Sequence, residues 1–163
     1  MKPLSIIVAV ASNWAIGKEN DLLAYLPGDL KRFKELTTEH TILMGRKTWE
    51  SLPKKPLPKR KNIVITRDSS YQAEGATLVN SIENALVECD TDKENFIIGG
   101  GEIYKMLLPV TTKLHLTRVH HDFEADVFFP EINFDEWTLL DREDVAAAGD
   151  NPYSFSYETW ERK

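Results

Sequence analysis

Residues 95–108 read NFIIGGGEIYKMLL, and this stretch decides the fold. NFIIG (95–99) is a short apolar run of the kind that makes a strand buried on both faces. GEIYKMLL (101–108) reads as the helix after it, stopped by Pro109. A strand passing through three glycines straight into a helix is half of a strand–helix–strand unit, and such units build parallel sheets. The pattern recurs. TILMG (41–45) leads into a short helix RKTWESL (46–52), SIIVAVA (5–11) and NIVIT (62–66) read as further buried strands, and ATLV (76–79) precedes a helix SIENALVEC (81–89) capped by Ser81. KKPLPKR (54–60) is a basic, proline-rich connection, and SNWAIGKENDLLAY (12–25) reads as a long loop. Beyond Pro109 the character changes: KLHLTRVH (113–120), WTLLDRE (137–143) and YSFSYETWER (153–162) alternate as antiparallel strands do. The expected fold is α/β. It has one domain over 1–163, a mainly parallel twisted sheet with an antiparallel C-terminal edge, and helices on both faces.

The chain has 163 residues, of which 42% are hydrophobic and 28% charged. A domain of this size can bury roughly 68–70% of its unfolded surface. The formal net charge of −6 supplies no basic field for nucleic acid or anionic lipid, so neither partner is expected. An anionic ligand must be met by a local cluster of cations or backbone N–H groups. Cys89 is the single cysteine, which excludes an internal disulfide and fits a reducing cytosol. His40, His115, His120 and His121 have no zinc spacing, so no metal is expected. Lys2 followed by LSIIVAVA superficially resembles an export signal, but the segment is short and a buried strand is the better reading. No apolar run approaches the ~20 residues needed to cross a bilayer.

Open α/β sheets bind ligands beyond the carboxyl ends of their strands. Two junctions there carry suitable chemistry. At ILMGRKTWESL, Gly45 allows close backbone approach, Arg46 and Lys47 are cationic, and Thr48 adds a hydroxyl. At FIIGGGEIY, Gly99, Gly100 and Gly101 remove every Cβ from the turn. Thr66 and Arg67 stand at the end of the third such strand. Neither junction is a P-loop or a GxGxxG fingerprint. Three glycines alone serve a tight turn as readily as a phosphate. Both junctions together, with cations that oppose a helix dipole, favour a ligand bearing several phosphates.

LLAYLPGDLKRFKEL (22–36) predicts a helix from about Pro27 to Thr38 with proline at its first position. Leu26, Asp29, Leu30, Phe33 and Leu36 then share one face, apolar except for the acid. Asp29 has two readings of about equal weight. A first-turn carboxylate accepts helix N–H bonds, and a carboxylate among apolar side chains is a common catalytic arrangement.

The chain resembles dihydrofolate reductase of the bacterial chromosomal type. AIGKEN, LPGDLKRFK, ILMGRKTWESL, PLPKRKNIVIT, FIIGGGEIY, LHLTRV and ADVFFP carry the resemblance, in order and nearly end to end. It implies an enzyme that passes a hydride from NADPH to 7,8-dihydrofolate; the single cysteine fits a cytoplasmic setting, and with no surplus apolar helix a monomer is expected. By the same resemblance Asp29 is the active-site acid, Thr117 supports it, and Leu22 sits at the centre of a lid formed by 12–25. Ile7, Val8, Ile98 and Tyr104 would line the pterin and nicotinamide pocket. Leu30, Phe33, Leu52 and Leu57 would grip the aminobenzoyl ring, and Arg60 would pair with the substrate's glutamate carboxylate. Ala9, Ile16 and Gly17 match nicotinamide contacts, and Ile103 flanks the cofactor. Gly45, Arg46, Lys47, Thr48 and Gly99 to Gly101 would hold the phosphates, with Lys47, Thr66 and Arg67 at the 2′-phosphate. The family has a cis peptide between the glycines matching Gly99 and Gly100. Ala24 stands where the family usually has a tryptophan, and Glu102 where a basic residue is frequent.

Overall fold

The computed structural model describes residues 2–18, 21–22, 28–149 and 151–163. In chain order the strands and helices are β1 (Leu4–Ala11), β2 (Ala15–Lys18), β3 (Asp21–Leu22), α1 (Asp29–Thr37), β4 (Thr41–Gly45), α2 (Arg46–Ser51), β5 (Lys61–Ile65) and β6 (Thr77–Val79). They continue as α3 (Ile82–Glu88), β7 (Asn95–Gly99), α4 (Gly101–Leu107), β8 (Lys113–Val119), β9 (Val127–Phe128), β10 (Trp137–Val145) and β11 (Phe155–Arg162). Eight strands form one sheet in the order β10-β11-β8-β1-β7-β4-β5-β6. All pairings from β8 to β6 are parallel, and β8–β11 and β11–β10 are antiparallel. The parallel strands read as unbroken apolar runs because helices cover both of their faces.

Alternation along β1 separates two cores. Leu4, Ile6, Val8 and Val10 join Leu43, Ile63, Ile97, Leu114 and Leu116 on one face, under Ala85 of α3 and Ile103 and Leu107 of α4. Ile42, Met44, Val64 and Phe96 form the other face, under Trp49 of α2, with Ile7, Leu36, Leu52, Leu57 and Ile98 packed at its margin. Ser81 caps α3 as expected, its Oγ accepting from the Asn84 N–H. At the antiparallel edge β10 buries only Trp137 fully and presents charged side chains to solvent, which suits a strand with no partner on one side.

The expectation of an unstructured loop over 12–25 requires correction. Ala15–Lys18 is a strand that pairs with β9 on one side and with β3 on the other. Two- to four-residue strands are too short to imprint a period on the sequence, and β9 lies far along the chain. Residues 19–20 and 23–27, including Ala24, Leu26 and Pro27, lie outside the described part, as does the Leu22 side chain.

A polar cluster closes the amino-terminal end of the sheet, on the α1 face. Glu94, just before β7, accepts from Ser5 of β1, and its Oε2 lies 2.8 Å from Nε2 of His115 on β8. The Glu94 carbonyl bonds the His40 ring at 2.7 Å. Burial works against the Glu94 charge, but hydrogen bonds from His115 and Ser5 and the nearby positive charge hold its carboxyl below the usual range. A carboxyl lowered on folding contributes stability above its unfolded pKa of about 4.3, and loses it as pH falls through the folded value. Glu94→Gln should therefore destabilise the protein by about 1–3 kcal/mol at pH 7, in urea unfolding, with the difference shrinking below about pH 4.

Candidate active site

α1 begins after Gly28, whose positive φ of 86° suits a residue without a side chain. Asp29 is its first residue, and Oδ1 accepts a hydrogen bond from Oγ1 of Thr117 at 3.1 Å. The carboxylate thus reaches off the helix onto β8, a strand 88 residues along the chain. Burial pushes its pKa above the ordinary carboxyl value, opposed by the Thr117 hydroxyl and the Arg32 cation. The stripe expected to face the core is buried unevenly. Phe33 and Leu36 are half-buried, whereas Leu30 is 57% exposed. Leu30 sits about 100° round the helix from Asp29, at the edge of the stripe. The face therefore borders the sheet instead of sinking into it.

The pleat of the central strands sorts the remaining expected residues. Ile7 pairs with His115 and Ala9 with Thr117, so Ala9 lies directly beside the hydroxyl that binds Asp29. Ile7 and Ile98 are half-buried on this face, with Leu52 and Leu57 at the margin of the same core. The side chains of Val8 and Ile103 belong to the opposite core, so only their main chain can reach the α1 face. Tyr104 is buried there too, and its hydroxyl donates to the Ile7 carbonyl at 3.0 Å. Burial raises that phenol far above its ordinary pKa, so it remains a neutral donor that holds β1 to α4.

Arg60 is anchored. Nε donates to the Pro58 carbonyl at 3.0 Å and Nη1 to Oγ1 of Thr37 at 2.9 Å. Thr37 is the fully buried residue of α1. The guanidinium is thus tied to the carboxyl end of the helix whose amino end carries Asp29. It is not one more solvated charge in the KKPLPKRK run.

The two glycine junctions meet. The β4–β7 register shifts between Leu43 and Met44, so Leu43 faces Ile97 while Met44 faces Gly99. Ile98 is stepped over, the Gly99–Gly100 peptide is cis, and the turn is turned towards β4. A Cβ on Gly45 would approach Ile103 Cγ1 at 3.0 Å and the Gly100 N at 4.0 Å. On Gly99 or Gly100 it would stand 3.5 Å from Thr48 Oγ1, and on Gly101 2.7 Å from Val127 Cγ1 and 3.9 Å from Ile16 Cδ1. β2, through Ile16, and β9 thus clasp the third glycine, and Gly17 pairs with Val127 to secure that clasp. The result is a cradle of bare backbone with a hydroxyl beside it. Arg46 and Lys47 directly follow Gly45 and Arg67 follows β5, all three exposed, and half-buried Thr66 accepts from the Asp68 N–H at 3.2 Å. A phosphate-bearing dinucleotide fits this donor set: main-chain N–H groups, one hydroxyl and several cations.

Three contributors escaped the sequence reading. Val127 closes on Gly101, and Arg32 and Tyr157 flank Asp29, the guanidinium carbon lying 4.1 Å from the ring centroid. For Arg32 the signal was present, since it follows Asp29 by three residues on a helix. Val127 lies in ADVFFP, but its packing on Gly101 is not readable from that motif, and Tyr157 comes from a distant strand with no local signal.

The dihydrofolate reductase family model matches residues 3–162. A dihydrofolate reductase of Bacillus subtilis is 42% identical over 160 residues, spanning 98% of this chain and 95% of that protein. One from Neisseria gonorrhoeae is 45% identical over 142 residues, 87% of this chain and 88% of the relative. Among solved structures, dihydrofolate reductase from Enterococcus faecalis complexed with NADP(H) and RAB-propyl superposes with a TM-score of 0.89. The two are 37% identical, and the match covers 99% of this chain and 96% of that one. A half-buried acid bound across the sheet and a paired-glycine cradle, matched end to end by these relatives, have one reading: the chain belongs to the dihydrofolate reductase family.

Proposed function

We propose that this site reduces 7,8-dihydrofolate to 5,6,7,8-tetrahydrofolate, with hydride delivered to C6 and a proton to N5. NADPH supplies the hydride when bound. The observation that carries the reading is the Thr117–Asp29 hydrogen bond, which holds a half-buried carboxylate over the apolar strand ends. In this reading Asp29 accepts from the pteridine's 2-amino group and the adjacent ring nitrogen, and Thr117 keeps the carboxylate turned towards them. The C6=N5 bond accepts hydride readily only when N5 is protonated. A carboxylate in apolar surroundings orients the ring and favours that protonated form, with water as the immediate donor. Ile7, Ile98 and Phe33 supply apolar walls that exclude bulk water, and Leu30, Leu52 and Leu57 hold the aminobenzoyl ring. Leu30's exposure suits a residue at the mouth of such a site.

Arg60 pairs with the substrate's glutamate carboxylate. Its Nε and Nη1 are already engaged, so the fork is presented in one orientation before substrate arrives. Gly45, Thr48 and Gly99 to Gly101 hold the cofactor's diphosphate, Arg46 adds charge, and Ala9, Ile16 and Gly17 border the nicotinamide. Lys47, Thr66 and Arg67 hold the 2′-phosphate and set the preference for NADPH. Leu22 belongs to the lid over the nicotinamide. The same reading makes the chain a cytoplasmic monomer, consistent with its one buried, free thiol; sedimentation at micromolar concentration tests the oligomeric state.

Asp29→Asn should lower turnover at pH 7 by about 10²–10⁴-fold, followed by loss of nicotinamide absorbance with both ligands present. Retained turnover would remove Asp29 from the mechanism. Stability should move the other way. A carboxyl whose pKa is raised on folding contributes stability below its unfolded pKa, and that contribution is lost as pH rises through the folded value. The Asn variant should thus melt about 1–3 °C higher at pH 7, with the gain disappearing below about pH 4. Lys47→Ala combined with Arg67→Ala should raise KM for NADPH about 10-fold or more while leaving KM for NADH nearly unchanged. Equal effects on both cofactors would exclude these residues from the 2′-phosphate.

A further inference from the structure

α1 lacks the core packing that normally fixes a helix. Thr37 is its fully buried residue, at the carboxyl end, and among its other residues Lys31, Lys34 and Glu35 are exposed and Arg32, Phe33 and Leu36 half-buried. Its amino end, where Asp29 sits, must be fixed by other contacts.

Arg32 leaves the same side of the helix as Asp29, one turn on. Its guanidinium lies 4.1 Å from the centre of the Tyr157 ring. Tyr157 on β11 is the direct cross-strand partner of Thr117 on β8. Thr117 in turn donates to Asp29. Two residues one turn apart on α1 therefore stand on two adjacent residues of the sheet. Asp29 on Thr117 is one support and Arg32 on Tyr157 the other. A single hydrogen bond would let the helix pivot about it, whereas two supports fix both the height and the roll of the first turn.

We propose that Arg32, seated on the ring of Tyr157, is a positioning residue for Asp29: the stack fixes the first turn of α1 over β8 and β11 and keeps a permanent cation beside the carboxylate. The inference rests on the reading of Asp29 as the acid that binds the pteridine. A planar guanidinium suits the role because it stacks on an aromatic face and never loses its charge. Burial, together with the Asp29 charge, raises the Tyr157 phenol, so the ring under Arg32 stays neutral. Among the described residues, other charged or titratable groups lie near this face, Asp141 on β10 being exposed beside Thr159. Glu143 on β10 is the exposed cross-strand partner of Tyr157. His115, two residues before Thr117 on the same face of β8, is engaged by Glu94. Lys31 pairs with Glu35 along the outer side of α1.

Arg32→Gln, Tyr157→Leu, Tyr157→Phe and Asp29→Asn test the inference. The Asp29 carboxyl is titrated by ¹³C NMR in the ligand-free protein, its signal assigned by its loss in Asp29→Asn. Kinetics with dihydrofolate are measured across the same pH range. Arg32→Gln and Tyr157→Leu should each raise the Asp29 midpoint by about 0.5 pH unit or more. Each should also raise KM for dihydrofolate about 3–10-fold while lowering kcat less, because orientation on binding is what is lost. Tyr157→Phe, which keeps the ring, should restore the midpoint seen with tyrosine. Tyr157→Leu is the decisive variant, since it leaves the cation in the chain and removes only its seat. An unmoved midpoint in Tyr157→Leu, or in Arg32→Gln should the leucine variant not fold, overturns the inference even if Tm falls. Turnover retained in Asp29→Asn would sink the reading of the acid instead, and a midpoint unmoved alongside a dead Asp29→Asn would sink the positioning role alone.

Discussion

One hydrogen bond ties the proposed catalytic acid of this protein to its scaffold, from the Thr117 hydroxyl to the Asp29 carboxylate. It joins the first turn of a lightly packed helix to a central strand 88 residues away. Burial alone would favour a neutral acid, whereas the hydroxyl and the Arg32 cation favour the charged form. The site therefore depends on a balance of opposed terms and not on a single strong contact.

The rest of the fold serves that placement. Five parallel pairings fix the heights of β8, β1, β7, β4, β5 and β6, and so bring their carboxyl ends together. The register shift between β4 and β7 then moves the cis Gly99–Gly100 turn against Gly45 and Thr48. Side chains at those glycines would fill the cradle between them, Thr48 and Val127. The pleat of β1 and β7 directs Ile7 and Ile98 towards the α1 face and Val8 and Ile97 into the opposite core.

The polar cluster of Ser5, Glu94 and His115 occupies the opposite end of the same sheet face. It satisfies groups that would otherwise be costly to bury, and no described buried side-chain polar atom is left unpartnered. Stability and chemistry are divided between the two ends. A carboxylate lowered by its partners steadies the amino-terminal end, and one raised by burial works at the carboxyl-terminal end.

The main strands, the helices after Gly45 and Gly100, the Ser81 cap and the antiparallel β10–β11 edge were legible in the linear chain, because period, glycine and proline act locally. The short strands β2, β3 and β9 were not, since so few residues leave no period and their pairing is settled by distant partners. KLHLTRVH alternates as an antiparallel strand does, but β8 pairs in parallel with β1 and is antiparallel only to β11, because the strands on either side settle its direction. For Asp29 the chain alone left capping and chemistry equally open. The folded molecule adds what no local spacing announces, a hydroxyl from β8 that donates to the carboxylate. Arg60 followed the same course: within its basic run it reads as a solvated charge, and the buried Thr37 makes it an oriented one. Local propensity determines which segments become strands and helices; the long-range register of the sheet determines which side chains meet, and a site is made of meetings.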